Sequence, residues 1–279
     1  MPPGGGPVLS FLREAWTAAT AALRQPIGDF NTAGGDEHDD ETPEWDGGRY
    51  RGARWAPIHP GRVGGAIRPW GVVCHTTDMH PSTFGALVRA WQRDAGRGAG
   101  AHFLIGRSSA EGVVQMVDVG RNGNHAGGNP AHGWFTVGGA RVHPNRVTVG
   151  IEVHAAGAVR FTGGEWRCYS DGEPTGAPLP DADVVPDDKR PGRGWHVPNA
   201  YQRDALAQLL DALAVCPAMV VGPATFGIAA NGQAQPWAPL VRWRDRLPVV
   251  GHVTLDPARK SDPGPVLSDW LRARAAEPF

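Results

Sequence analysis

Side chains that bind metal ions or transfer protons follow two apolar segments of the sequence. His75 ends the run IRPWGVVCH, and His252 comes directly after Val249 to Gly251. A proline-containing loop after His252 leads to Lys-Ser-Asp-Pro-Gly, and this loop allows Asp262 to return towards His252 with Lys260 beside it. Each residue also has an ordinary interpretation, because a histidine at a strand end is usually structural and an aspartate before proline often begins a turn or caps a helix.

Glu152 is a carboxylate inside a segment that has the pattern of an apolar strand. Between Val147 and His154, apolar side chains alternate with Thr148, Gly150 and Glu152. Burial of a carboxylate is costly unless the group is paired or used in chemistry. Two interpretations remain open, an edge strand with Glu152 facing water or a general base whose pKa is tuned by burial and a nearby cation.

The segments around these residues predict a sheet with helices packed against it. Strands are predicted at 67–75, 102–106, 113–117, 146–154 and 249–252, and helices at 82–94, 201–213 and 265–274. Such alternation indicates an α/β fold, a single domain over residues 52–279 with a central mixed β-sheet flanked by helices. Residues 156–198 are rich in Gly, Pro and Asp and are predicted to be an insertion beside the site. We expect a hairpin around Arg167-Cys168-Tyr169 there, and otherwise loop.

Finer details of this domain also follow from the pattern. Strand alternation places Val73 and His75 on one face and Cys74 on the other, which makes Cys74 a small packing residue. Ser82 is predicted to cap its helix. The helix at 201–213 is expected to bury one face through Leu206, Leu209, Leu210 and Leu213.

The N-terminal part of the chain has a different character. Residues 1–25 contain apolar side chains at three- and four-residue spacings and predict an amphipathic helix. This helix either packs on the main domain or docks a partner, and both remain open. Residues 26–51 are acidic and predict a flexible linker, whose charge run is expected to be solvated. The N-terminus lacks the features of a secretory signal, so we expect a protein made in the cytoplasm without an evident signal peptide.

Composition excludes several classes of protein. The 279 residues include 27 basic and 28 acidic side chains without a Lys/Arg block, which argues against a nucleic-acid partner. Three cysteines (Cys74, Cys168 and Cys216) have no CxxC spacing, so a disulfide framework or a cysteine zinc knuckle is not expected. No apolar run approaches the ~20 residues of a membrane-spanning helix, so no membrane span is expected.

Five ordered motifs carry a resemblance to a known family. They are His75-Thr76-Thr77, Ala101-His102-Phe103-Leu104-Ile105, Asn124-His125-Ala126-Gly127, Val149-Gly150-Ile151-Glu152, and Gly251-His252 continuing through Lys260-Ser261-Asp262-Pro263-Gly264. In this order and with this chemistry the chain resembles the type 2 N-acetylmuramoyl-L-alanine amidases, a superfamily with phage amidase lysozymes, peptidoglycan recognition proteins and a cytosolic muropeptide amidase. The match is by motif and covers roughly residues 65–272.

The resemblance implies a single Zn²⁺ held by His75, His252 and Asp262. Three protein ligands leave a fourth position for water, which is the mark of a catalytic zinc site. The ion would lower the pKa of that water and polarise the scissile carbonyl. Aspartate as the third ligand is similar to the recycling enzyme and its relatives, whereas phage lysozymes and recognition proteins commonly have cysteine.

The resemblance also implies the catalytic groups. Glu152 matches the glutamate that accepts the water proton and passes it to the leaving amine, and Lys260 matches the lysine that stabilises the oxyanion. Some phage members use a tyrosine just before the His-Phe pair, where this chain has Ala101, so Glu152 is expected to act as the base.

Substrate-binding roles are implied for His125, Asn124 and Thr76, which stand near the positions of bound substrate in the motifs. His102 is predicted to be structural. His154 shares the Glu152 face by alternation and is either a support for the site or a satisfied polar residue, so it stays outside the predicted catalytic set.

The implied activity is zinc-dependent hydrolysis of the amide between N-acetylmuramic acid and L-alanine, in peptidoglycan or a muropeptide. The linker and the long insertion favour a cell-wall-lysing enzyme, a phage-type endolysin or a delivered toxin, over a cytosolic recycling amidase. Such an enzyme acts on the wall once it is released or delivered. Two other classes remain open, a non-catalytic peptidoglycan-binding module and a component of a phage or injection apparatus docked through residues 1–25.

Overall fold

The computed structural model describes residues 45–93, 100–126, 135–137, 140–170, 173–220, 227–230, 233–236, 241–255 and 261–277. The predicted helix within residues 1–25, residues 26–44 of the predicted linker, and Lys260 lie outside these ranges.

Short strands dominate the part of the chain that the structure describes. In chain order they are β1 Trp45–Asp46, β2 Arg49–Tyr50, β3 Arg54–Trp55, β4 Gly71–Thr76, β5 Phe103–Ile105, β6 Val113–Gln115, β7 Phe135–Val137, β8 Ala140–Val142, β9 Thr148–Val153, β10 Ala158–Thr162, β11 Glu165–Ser170, β12 Glu173–Leu179, β13 Val184–Pro186, β14 Arg193–His196, β15 Gly227–Ala230, β16 Gln233–Pro236, β17 Val241–Trp243 and β18 Leu247–Gly251. The α-helices are α1 Phe84–Arg93, α2 Ala200–Ala214, α3 His252–Leu255 and α4 Gly264–Ala275.

The centre of the fold is a seven-stranded sheet in the order β17-β18-β4-β9-β5-β6-β3. Strands β18, β4, β9 and β5 run parallel to one another, while β17 and β6 run antiparallel to the neighbours β18 and β5. The predicted α/β fold with a mixed central sheet is therefore confirmed. Because the four middle strands are parallel, their carboxyl ends meet at one edge of the sheet.

The two faces of this sheet pack against different helices. On one face, apolar side chains of β4, β5, β9 and β18 pack against α2 and α4 in a single buried cluster. Cys74 is fully buried in that cluster, as a packing residue should be. The four leucines predicted for the buried side of α2 are also there. On the other face, α1 packs against Leu104 and Val114, and the carboxyl ends of β4 and β9 carry the polar side chains His75 and Glu152.

Two predicted boundaries differ from the observed ones. The first long strand begins at Gly71 rather than Ile67, because Pro69 has no N–H to donate to a sheet. The helix predicted from Ser82 begins at Phe84, after a 3-10 turn that His80 caps by accepting a hydrogen bond from the Ser82 N–H at 3.2 Å. The prediction that Ser82 is the cap is therefore wrong.

The domain begins earlier than the sequence pattern suggests. Strands β1 and β2, within the predicted linker, form an antiparallel pair, and both Trp45 and Tyr50 pack on the main core. The Trp45 indole N–H donates to the Ala212 carbonyl at 3.1 Å. The linker boundary at residue 51 is therefore too late, because these aromatic side chains pack on the main core.

The 156–198 insertion contains a five-stranded antiparallel sheet in the order β12-β11-β10-β14-β13. The predicted hairpin around Arg167 exists as β11 and β12, but the prediction of loop for the rest is wrong. Strand signals are weak here because most side chains of β10 and β12 are exposed. The apolar cluster of this sheet includes Val159, Trp166, Cys168, Leu179 and Val184. The insertion is tied to the segment after β4, since the His80 imidazole lies 3.1 Å from the Ala177 carbonyl.

A separate four-stranded antiparallel sheet has the order β16-β15-β7-β8. Among the helices that the structure describes, none combines the length and the apolar character needed to span a membrane.

Candidate metal centre

Three side chains converge at the carboxyl edge of β4 and β18. His75 stands near the end of β4, His252 begins α3 directly after β18, and Asp262 lies two residues before α4. The side chains are 1–3% exposed. Open α/β sheets commonly bind ligands at this edge, because the loops that follow parallel strands meet there.

The three donor atoms form a nearly equilateral triangle. His75 Nδ1 lies 3.0 Å from His252 Nδ1 and 3.0 Å from Asp262 Oδ2, and His252 Nδ1 lies 3.3 Å from the same oxygen. Tetrahedral zinc with bonds of about 2.0–2.1 Å separates its donors by about 3.3–3.4 Å. The spacing is slightly tighter than that, and two imidazole nitrogens with one carboxylate oxygen are a zinc-type donor set.

An unused buried carboxylate oxygen at the centre also fits a cation. Among the described residues, Asp262 Oδ1 is buried without a hydrogen-bond partner. Burial alone would raise the pKa of Asp262, but the adjacent imidazoles of His252 and His75 outweigh burial and hold that pKa well below its ordinary range. The aspartate is therefore an anion in the interior, and a bound cation would compensate its charge.

Main-chain contacts hold Asp262 at its place. Its carbonyl accepts a hydrogen bond from the Val253 N–H at 2.8 Å, so the chain closes on itself between His252 and Asp262. A side chain at Gly251 would meet Pro263 at 2.7 Å, and one at Gly264 would meet the Trp195 ring at 2.7 Å. Both glycines therefore allow the close packing that seats the aspartate.

Glu152 lies next to His75 in the sheet. The register of β4 and β9 pairs His75 with Glu152, and paired residues of neighbouring strands point to the same face. Glu152 is 9% exposed, so it is buried in a central strand and the edge-strand interpretation is wrong. Burial raises the pKa of Cys74 to about 12, with a smaller contribution from the charge of Glu152, and this keeps the thiol protonated.

His125 lies inside the protein, next to His75. The ring is 3% exposed, His75 Nε2 is 3.2 Å from His125 Nδ1, and the Thr148 carbonyl is 3.2 Å from His125 Nε2. Burial, followed by the neighbouring histidines His75 and His102, lowers the pKa of His125 well below its usual range. Because both ring nitrogens have protein partners, the geometry gives no support to the predicted substrate contact.

Thr76 and Asn124 are the other predicted substrate-binding residues. Both side chains form hydrogen bonds within the protein. Thr76 alternates with His75 and so faces away from it, and its hydroxyl donates to Asp78 Oδ1 at 2.9 Å. Asn124 adopts a left-handed conformation, φ 51°, and its amide donates to the Arg62 carbonyl at 2.8 Å. The structure does not bring either side chain to the three-ligand centre.

His154 has partners away from the centre as well. Its Nε2 lies 3.1 Å from the Pro81 carbonyl and its Nδ1 lies 3.1 Å from the Thr77 hydroxyl. These contacts connect the end of β9 to the segment after β4. Of the two interpretations that alternation left open, the satisfied polar residue agrees with these contacts.

His102 has a tautomer fixed by two main-chain partners. Its Nδ1 accepts a hydrogen bond from the Gly150 N–H at 2.9 Å, so its Nε2–H donates to the Arg121 carbonyl at 2.7 Å. The ring is fully buried, and burial lowers its pKa to about 4 even though the Arg121 carbonyl and Asp118 act in the opposite direction. His102 is therefore structural, as the sequence indicates.

This burial predicts an acid-sensitive contribution to stability. The unfolded chain binds a proton at His102 near pH 6.5 and the folded chain only near pH 4, so stability falls as the pH drops through that window, by up to about 3 kcal/mol. His102→Asn keeps an acceptor for the Gly150 N–H but does not titrate. We expect urea unfolding between pH 7 and pH 4.5, with chelator present, to show a pH dependence smaller by that amount in the variant. Equal pH dependences would contradict this assignment.

Two residues that matter for the centre were not singled out from the sequence. The Thr148 carbonyl lies within hydrogen-bond distance of His125 Nε2. Gly150 leaves room for the His125 ring, because a side chain at position 150 would meet the ring at 2.2 Å. The signal was a polar residue and a glycine in an otherwise apolar strand pattern. Lys260, the predicted oxyanion-stabilising residue, lies outside the described residues.

One known protein family matches the sequence of this chain. The sequence profile of the family described as N-acetylmuramoyl-L-alanine amidase matches residues 65–265, more than half of the chain. No curated protein sequence matches. Among solved structures, a selenomethionine AmpD derivative is 20% identical, with 82% of this chain and 97% of that chain covered and a TM-score of 0.42.

Two further structures contain bound muropeptides. AmiD from E. coli, in complex with the substrate anhydro-N-acetylmuramic acid-L-Ala-D-gamma-Glu-L-Lys, is 18% identical, with 76% of this chain and 58% of that chain covered and a TM-score of 0.43. AmpDh3 from Pseudomonas aeruginosa, in complex with anhydromuramic pentapeptide, is 21% identical, with 75% and 61% covered and a TM-score of 0.42. This chain thus spans about three fifths of the length of these two proteins.

Proposed function

The chain belongs to the N-acetylmuramoyl-L-alanine amidase family, and on that premise we propose that it hydrolyses the amide bond between N-acetylmuramic acid and L-alanine with one zinc ion held by His75, His252 and Asp262. The observation that carries this proposal is the triangle of buried donor atoms at 3.0–3.3 Å with Glu152 beside it in the sheet. Bound there, zinc would polarise the scissile carbonyl and lower the pKa of a water molecule.

Two side chains are proposed to act on the reacting atoms, Glu152 in proton transfer and Lys260 in charge stabilisation. We assign to Glu152 the role of general base, which takes the proton of the attacking water and then gives it to the leaving amine of alanine. Its burial and its place next to His75 support this role. Lys260 is proposed to stabilise the oxyanion of the tetrahedral intermediate with its fixed positive charge. The proposal for Lys260 rests on its place in the Lys-Ser-Asp-Pro-Gly motif.

The experiment is digestion of purified sacculi by the full chain, with new L-alanine amino termini measured by labelling and mass spectrometry. Zinc-loaded protein is expected to release them, chelator-treated protein is not, and added zinc should restore the reaction. If zinc-loaded protein binds sacculi and releases no alanine termini where a known amidase does, the chain is a binding module and the proposed activity fails.

We further propose cell-wall lysis, by an endolysin or a delivered toxin, as the setting. The support is the insertion, which builds a whole sheet next to the segment after β4 and so enlarges the protein around the site. A comparison of rates on intact sacculi and on a soluble muropeptide tests this setting. Faster turnover of sacculi is expected, whereas activity confined to the muropeptide would indicate a recycling amidase.

A further inference from the structure

His125 is placed to control a ligand of the metal centre. Its ring lies between two partners, with His75 Nε2 at 3.2 Å from Nδ1 and with the Thr148 carbonyl and hydroxyl both at 3.2 Å from Nε2. His75 uses its other nitrogen, Nδ1, in the donor triangle. The proton arrangement of His125 therefore decides which nitrogen of His75 carries a hydrogen.

The hydrogen bonds at Thr148 have fixed donors and acceptors. The Thr148 hydroxyl donates its hydrogen to the Pro144 carbonyl at 2.8 Å, so towards His125 this hydroxyl is an acceptor. The Thr148 carbonyl is an acceptor in every case. His125 Nε2 faces two acceptors and must carry the hydrogen.

The same hydrogen-bond direction continues through the imidazole rings of His125 and His75. A neutral imidazole has one N–H, so with that hydrogen on Nε2, between the two acceptors of Thr148, the Nδ1 of His125 is an acceptor. That acceptor requires the hydrogen of His75 on Nε2, which leaves the Nδ1 lone pair of His75 aimed at the position between His252 Nδ1 and Asp262 Oδ2.

We propose that His125 is a positioning residue that fixes His75 as the Nε2–H tautomer and holds its ring ready to bind the metal, rather than a residue that contacts substrate. The inference rests on the proposed zinc-dependent function and adds a role to its ligand shell. Gly150 contributes to this placement of His125, because only a residue without a side chain leaves room for the His125 ring over β9. His252 differs, since its Nε2 has no hydrogen-bond partner among the described residues.

Two variants of the full chain separate positioning from packing. His125→Phe keeps a ring of similar size and removes the acceptor, whereas His125→Asn keeps an acceptor near the position of Nδ1. Loss of a group that orients a metal ligand typically weakens metal binding by about 10–100-fold. We expect that loss of zinc affinity in His125→Phe, measured by chelator competition, and an affinity within about threefold of the wild type in His125→Asn.

Nitrogen-15 NMR of the wild-type chain tests the same assignment without a substitution. The ring signals of zinc-loaded protein should show Nε2–H tautomers for both His75 and His125. An Nδ1–H tautomer at His125 would overturn the inference, as would wild-type zinc affinity in a folded His125→Phe variant or an equal loss in both variants. If the wild type itself binds no zinc, the proposed function fails first. If wild type and His125→Phe bind zinc equally well and cleave sacculi, only the role of His125 fails.

Discussion

Replacement of Asp262 by alanine is expected to remove zinc from the protein and to abolish hydrolysis of sacculi. The carboxylate is 3% exposed and is the sole anion of the donor triangle, so its loss leaves two imidazoles that compete poorly for the ion. The rate should fall by at least about 10³-fold, because without the ion the attacking water keeps its ordinary pKa of about 15.7 instead of about 7. Zinc content by mass spectrometry and released alanine termini measure the two effects.

Asp262→Cys is the matched variant. A cysteine thiolate is also a good zinc ligand, so this protein should keep zinc while the alanine variant loses it. Far-UV circular dichroism of both variants checks that the fold survives. Stoichiometric zinc and undiminished activity in Asp262→Ala would show that the ion is held elsewhere, and the proposed centre would then be wrong.

The second large effect is expected at Glu152. Glu152→Gln keeps the size of the side chain and removes the basic oxygen, so kcat should fall by about 10²–10⁴-fold while zinc stays bound. Glu152→Ala should give the same result with zinc retained, because Glu152 is not one of the three ligands. Steady-state kinetics on a soluble muropeptide, together with zinc content, separate a loss of chemistry from a loss of the ion.

Glu165→Gln provides the control for this experiment. Glu165 is an exposed carboxylate on β11 that pairs with Arg167, so its neutralisation removes the same charge from a residue with no proposed part in proton transfer. Its kcat should equal that of the wild type. Full activity in Glu152→Gln would leave the protein without the base that we propose, even if the metal centre is correct.

Local patterns predicted the parts of the fold that depend on neighbours in sequence. Alternation placed His75 and Val73 on one face and Cys74 in the core, and helical spacing gave the buried side of α2. The strands of the insertion were not predicted because burial in them follows no regular alternation. Only one residue of β12 is buried, and its other residues are exposed or partly exposed.

Contacts between distant segments were harder to predict. The pairing of His75 with Glu152 depends on the register of β4 and β9, which no local pattern fixes. The same holds for His125, because its role depends on Thr148 and on the space above Gly150, both in a strand that follows later in the chain. The motif order indicates that His125 is a site residue, but only three-dimensional contacts distinguish support of a ligand from contact with substrate.

The hydrogen bond from the Val253 N–H to the Asp262 carbonyl fastens the two ends of the segment that joins the proposed ligands His252 and Asp262. The position of Asp262 is therefore separated from the length and composition of residues 254–261. Under the proposed mechanism, the cation offered to the reaction can be exchanged within that segment while the ligand positions are kept. Changes in catalysis and changes in metal retention would then arise from different residues.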